Sequence, residues 1–174
     1  MKKHFLFLLI SFLSIKSIHA QIESAGDVLN AAYSQAKKEN KKVFIIFHAS
    51  WCVWCHRMDS SMNDKSVKSF FDKNYVIRHL TVLESKGKEN LENPGAQEML
   101  VKYKGEGQGI PYWLIFDKDG NLLADSQIDP GVNTGCPASK EEVAFFIEVL
   151  KKTSSIKPEQ VAAVEKIFRK KETQ

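Results

Sequence analysis

The stretch Val43-Phe44-Ile45-Ile46-Phe47 constrains this chain more than any other. Five consecutive apolar residues, all β-branched or aromatic, fit a strand buried on both faces rather than one with a wet side. Immediately downstream lies Ala49-Ser50-Trp51-Cys52-Val53-Trp54-Cys55-His56-Arg57-Met58. A helix is expected from about Cys52, interrupted or bent at Asn63-Asp64 and continued by the apolar face of Val67, Phe70 and Phe71. Two cysteines therefore sit where a buried strand gives way to a helix.

The pattern around that junction alternates. Before it, Ser24 to Asn40 places Val28, Leu29, Ala32 and Ala36 at helical spacing, with start signals at Ser24 and Asp27 and a stop at "KKENKK". After it, Tyr75 to Leu83 reads as a second strand, 84–95 as a polar loop, and Pro94 to Tyr103 as a short helix with Pro94 in its first turn. The glycine-rich 104–111 leads to strands Tyr112 to Phe116 and Leu122 to Ala124, joined by the hairpin signal "DKDGN". Ser139 and Glu142 form a capping box for a helix to Lys152. Pro158 opens a last amphipathic helix through Val161, Val164, Ile167 and Phe168. Strands alternating with helices imply parallel pairing early in the chain, and the late hairpin is antiparallel. This is an α/β pattern without an internal repeat. Its core spans about 24–152, and a C-terminal helical extension over 158–171 is hinged at "KTSSIKP".

The N-terminus points to export. Lys2 and Lys3 precede the short apolar run Phe5 to Leu13, and "SIHA" follows, which is the pattern of a signal peptide over residues 1–20 cut after Ala20. The run is shorter than the roughly 20 residues that span a bilayer, so no stable membrane insertion is expected after cleavage. The remaining 21–174 has the size of one domain. Without Lys2, Lys3 and Lys16, the 25 basic residues fall to 22 against 21 acidic, and the formal charge of +4 falls to +1. Lysines interleaved with acids describe solvated helix faces, so no nucleic-acid partner is expected. The expected location is the periplasm or the exterior.

Three cysteines in an exported chain leave at least one thiol unpaired within a monomer. Cys52 and Cys55 close too short a loop to staple distant segments, which suits redox exchange better than structural bracing. At a helix N-terminus the unpaired N–H groups and the dipole favour a thiolate at Cys52, with Cys55 one turn on along the same side. An exposed, ionised sulfur above a waiting one is what thiol–disulfide exchange requires. Two rival chemistries read the same string. C-x-x-C-H is also a c-type haem attachment site, with His56 as axial ligand. Met58 and Met62 lie on the same local helix and cannot reach the far face of a haem, Met99 is the other distant methionine, and the buried strand before the motif also argues against haem. Zinc would need Cys52, Cys55, His56 and Cys136 brought together by folding back a late loop, and no second C-x-x-C is present. Cys136 itself, in "NTGCPASK", reads as a partly buried spare thiol in a loop.

The strand "VFIIF", then "WCVWC", then Gly109-Ile110-Pro111 before a hairpin resembles the thioredoxin superfamily, above all its exported bacterial thioredoxin-like members with a W-C-x-x-C motif. The resemblance covers about Ser24 to Lys152. It implies a three-layer sandwich with a central mixed sheet of about four strands flanked by helices, extended here by the C-terminal helix. It also implies an enzyme, a thiol–disulfide oxidoreductase in which Cys52 attacks and Cys55 resolves. The same residues form the redox-active disulfide. Pro111 would be the family's cis-proline facing the pair, with Ile110 offering backbone groups to an extended substrate and Trp51 forming an apolar rim. The partners implied are disulfide-bearing or dithiol proteins and a membrane-bound redox partner. No cofactor or metal is expected, because the dithiol itself carries two electrons. Two departures stand out. Ile46 occupies the place of the family's buried acid, which leaves His48 and His56 as the candidates for proton transfer, and Val53-Trp54 is an unusual intervening pair. A second reading keeps the fold as a binding module with a non-catalytic disulfide.

Overall fold

In the computed structural model, which describes residues 22–169, a four-stranded sheet has the order β2-β1-β3-β4. β1 is Lys42–His48, β2 Tyr75–Thr81, β3 Tyr112–Phe116 and β4 Leu122–Asp125. β1 runs parallel to β2 and antiparallel to β3, and β3 pairs antiparallel with β4. The expected mixed sheet is therefore present. The expected signal peptide lies outside the described residues, as does the end of the expected C-terminal extension.

Residues Val43 to Phe47 are all buried, at the centre of the sheet. Val43, Ile45 and Phe47 pack with Val28, Ala32 and Ala36 of α1 (Ala25–Glu39) and with Met99 and Leu100 of α4 (Ala96–Lys102). Phe44 and Ile46 point the other way, into a cluster with α2 (Val53–Met62), α3 (Lys68–Asn74), α5 (Lys140–Thr153) and α6 (Pro158–Arg169). Cover on both sides explains why the run carries no polar alternation.

The helix after the cysteines is interrupted where expected: α2 is capped at Asn63, and α3 begins at Lys68. Several other boundaries differ from the sequence reading. β2 ends at Thr81 rather than Leu83, because Leu83 adopts φ 55° and turns the chain out of the sheet. Pro94 precedes α4 instead of opening it. Gly95 caps the helix at φ 82°, and the Pro94 carbonyl accepts the Ala25 N–H at 2.8 Å, tying the loop to the start of α1. A small ribbon, β5 (Gln127–Asp129) with β6 (Val132–Asn133), was not foreseen. The segment before Pro158 does not leave the last helix detached. Val164 and Phe168 of α6 are fully buried, and Phe168 meets Phe146 at 5.1 Å between ring centres.

Candidate active site

β1 delivers the chain to the site. After His48, Ala49 is buried, and the Cys52 N–H donates to the Ala49 carbonyl at 3.1 Å, closing the turn that contains Ser50 and Trp51. Cys52 is the N-cap of α2, and the Cys55 N–H points at Cys52 Sγ from 3.1 Å. A cysteine sulfur thus takes the place usually held by a serine or aspartate oxygen, so a thiolate there receives a helix-start N–H and the positive end of the dipole. Cys52 and Cys55 form a disulfide with Cα atoms 5.3 Å apart.

Cys52 is more covered than expected, at 2 % exposed, with Cys55 at 1 %. The cause is Ile110, which packs on Ala49, Cys52 and Cys55 and places its carbonyl oxygen 3.5 Å from Cys52 Sγ. The Ile110–Pro111 bond is cis. One side chain that sequence reasoning missed holds this loop in place. Asn133 Nδ2 donates to the carbonyls of Gln108 (3.2 Å), Gly109 (3.2 Å) and Pro111 (3.1 Å). A groove of about 240 Å³ runs beside Pro111, lined by Trp54, Ile110, Asn133, Thr134 and the buried thiol of Cys136. Cys136 therefore shares a groove with Pro111 and is more buried than a spare loop thiol. Trp51, Val53 and Trp54 are exposed around the disulfide, at 53 %, 61 % and 43 %. Trp54 leans on Arg57, whose guanidinium sits 4.5 Å from its ring centre.

The two histidines singled out from sequence have other attachments. His56 Nε2 donates to the Ser50 carbonyl at 3.1 Å, bracing the turn ahead of Cys52. His48 Nε2 is 3.1 Å from Thr81 Oγ1, and its ring lies 4.9 Å from that of His79. Burial first, and then the neighbouring His79, hold the His48 pKa below the ordinary imidazole value. His79 Nε2 is 2.8 Å from Asp59 Oδ1 on α2. Among the described residues, no hydrogen bond joins either candidate histidine to a sulfur. Ile46 is buried and apolar, as its neighbours on β1 are. No group of three or more His, Cys, Asp or Glu among the described residues could hold a metal ion.

The loop after β2 also grips the site. Glu84 accepts from the Ser50 N–H at 2.6 Å and the Ser50 hydroxyl at 2.7 Å, and the Trp51 indole N–H donates to the Leu83 carbonyl at 2.8 Å. The Ser50 N–H, followed by the hydroxyl, holds the Glu84 carboxyl below the usual glutamate range. A depressed folded pKa means that the clamp is complete above the unfolded value of about 4.3 and is lost as pH falls through the lower folded value. Glu84→Gln is therefore expected to lower the melting temperature by a small, constant amount above that window. The gap should close as the pH falls through it. Thermal melts across the acid range test this, and a gap that stays the same at every pH contradicts it.

A family model described as thioredoxin-like matches residues 24–118, more than half of the chain. The chain belongs to this thioredoxin-like family. No curated protein sequence matches it. Among solved structures it is similar to a disulphide isomerase from Xylella fastidiosa Temecula1, with 17% identity, 94% of this chain and 100% of that one covered, and a TM-score of 0.49. A DsbH oxidoreductase is 22% identical over 84% of this chain and 95% of its own, with a TM-score of 0.45. A thioredoxin from Thermus thermophilus is 16% identical over 75% and 85%, also at 0.45. The thioredoxin-like chain thus carries its C-x-x-C pair, closed as a disulfide, at the start of α2 beside the Ile110–Pro111 loop.

Proposed function

We propose that the chain is an exported thiol–disulfide oxidoreductase that exchanges disulfides with protein substrates through Cys52 and Cys55. The observation that carries this reading is the disulfide at the N-cap of α2, with the Cys55 N–H directed at Cys52 Sγ. A reduced Cys52 at that place is ionised more readily than a free cysteine, and the thiolate is the attacking species. It attacks one sulfur of a substrate disulfide, whose other sulfur leaves as a thiolate. Cys55 then attacks Cys52 Sγ, releases the second substrate sulfur and closes the pair, so that two electrons pass from the dithiol to the substrate. The reverse sequence oxidises a dithiol. The exposed Trp51 supplies an apolar rim, and Ile110 and Pro111 the backbone wall, against which an extended polypeptide lies.

Export is supported by Lys2, Lys3, the apolar Phe5 to Leu13 and "SIHA", which suit cleavage after Ala20 and a periplasmic or secreted location. In such a compartment the pair is restored by a further dithiol or disulfide partner, and a membrane-bound one fits the need to carry electrons across the bilayer. The test of this function is equilibration of the full chain with glutathione at graded ratios of its thiol and disulfide forms. A pair that opens and closes reversibly supports exchange; a pair that stays closed throughout sinks it.

A further inference from the structure

Resolution of a mixed disulfide by Cys55 requires its thiol to lose a proton, yet Cys55 is only 1 % exposed. A proton cannot leave such a site directly into water and must pass to a neighbouring group. Asp59 is four residues further along α2, so the two side chains share one helical face, with about 5–6 Å between Cβ atoms. Asp59 Oδ1 lies 2.8 Å from His79 Nε2 on β2, and the two side chains are 34% and 33% exposed. The pair therefore reaches from beside a buried thiol to solvent.

We propose that the Asp59–His79 pair takes up the proton that Cys55 gives up when it resolves a mixed disulfide. The proposal rests on the exchange reading above. With His79 donating its Nε2–H to the carboxylate, the pair begins as carboxylate and neutral imidazole. It ends with the proton on the other carboxylate oxygen, Asp59 Oδ2, and with the imidazole still neutral and hydrogen-bonded to Oδ1, while Cys55 becomes a thiolate. That thiolate attacks Cys52 Sγ, the bond from Cys52 to the substrate sulfur breaks, and the substrate sulfur departs with the electron pair. The substrate disulfide is the only oxidant required. The protonated pair then discharges to water on its exposed side.

The surrounding groups leave this pair as the acceptor. Phe44 and Ile46, the β1 residues that face α2, carry no basic atom. On β1, His48 is held by Thr81 and is disfavoured as a cation by burial. On α2, His56 is engaged with the Ser50 carbonyl, and Arg57 covers Trp54. Glu84, in the loop after β2, is spent on Ser50. On α3, which packs against β2, Lys68 and Asp72 pair with one another.

The test follows the reaction of the reduced full chain with 5,5′-dithiobis(2-nitrobenzoate) by stopped flow. Attack by Cys52 releases the first coloured thiolate, and resolution by Cys55 releases the second. Asp59→Asn and His79→Gln are each expected to leave the first release unchanged. Each should slow the second by at least about tenfold, against the ~10²–10⁴-fold usual for a positioned proton acceptor, and remove its pH inflection. A second release with wild-type rate and pH profile in both variants overturns the proposal, as does equal slowing of both releases. A wild-type chain that releases no coloured thiolate overturns the exchange reading itself. Two variants on different elements guard against one failing to fold.

Discussion

Cys52→Ser is expected to abolish disulfide exchange, and Cys55→Ser to stop it half way. The two cysteines are three residues apart and bonded to each other, yet their surroundings differ. Cys52 is the helix cap, and the Cys55 N–H and the dipole of α2 both act on its sulfur. A serine hydroxyl at that cap accepts the same N–H but does not ionise near neutral pH, so the attacking species is lost. Activity towards a model disulfide is expected to fall by about three orders of magnitude or more, as on removing a covalent nucleophile. Cys55→Ser keeps the attacking thiolate and loses the group that resolves, so mixed disulfides accumulate on Cys52 and appear as adducts by mass spectrometry. Adducts on Cys55 in the Cys52→Ser variant, at the rate seen in the reciprocal variant, would reverse the assignment.

The largest effect on stability is expected at Trp113. It is fully buried on β3, and its ring meets Phe44 and Phe146 at 5.6 Å and Phe145 at 6.3 Å. Its indole N–H donates to the Gly135 carbonyl at 3.0 Å. Trp113→Ala removes those ring contacts, opens a cavity and leaves a carbonyl without its donor. The expected cost is about 3–5 kcal/mol, a large share of the roughly 5–15 kcal/mol that holds a domain folded. Trp113→Phe keeps most of the ring and loses the hydrogen bond, and it should cost about 1–2 kcal/mol, well below the alanine variant. Denaturant midpoints measure both. The effect should also reach the site, because Gly135 packs against Pro111: a Cβ at Gly135 would meet the Pro111 carbonyl at 3.5 Å and the ring at 3.7 Å. An alanine variant within about 1 kcal/mol of wild type would show that this side chain does not organise the core.

The central strand and the cysteine junction were legible because both follow from local chemistry. "VFIIF" has the composition of a strand covered on both sides, and the structure buries each of its residues. The capping box at Ser139 and Glu142 is formed in both directions, with the Glu142 N–H on the serine oxygen and the Ser139 N–H on the glutamate. What escaped depends on contacts between distant segments. Asp59 and His79 are 20 residues apart in sequence, and nothing in either segment announces that they meet. The β5–β6 ribbon is two or three residues per strand, too short for alternation to register, although Asp129-Pro130-Gly131 is a turn signal with Gly131 at φ 81°. Asn133 was readable only as a loop residue, since its three carbonyl partners belong to a segment more than 20 residues away. The cover of Cys52 likewise comes from Ile110, 58 residues on.

The reduction potential of the Cys52–Cys55 pair tests the central claim most directly. The full chain is equilibrated against graded glutathione buffers, and the reduced fraction is counted by thiol alkylation. An exchanging dithiol is expected to titrate as one reversible two-electron couple between about −120 and −270 mV, the span occupied by known exchange proteins. A pair that stays oxidised below about −300 mV, as structural disulfides do, contradicts the account and leaves Cys52 and Cys55 as a brace on the start of α2.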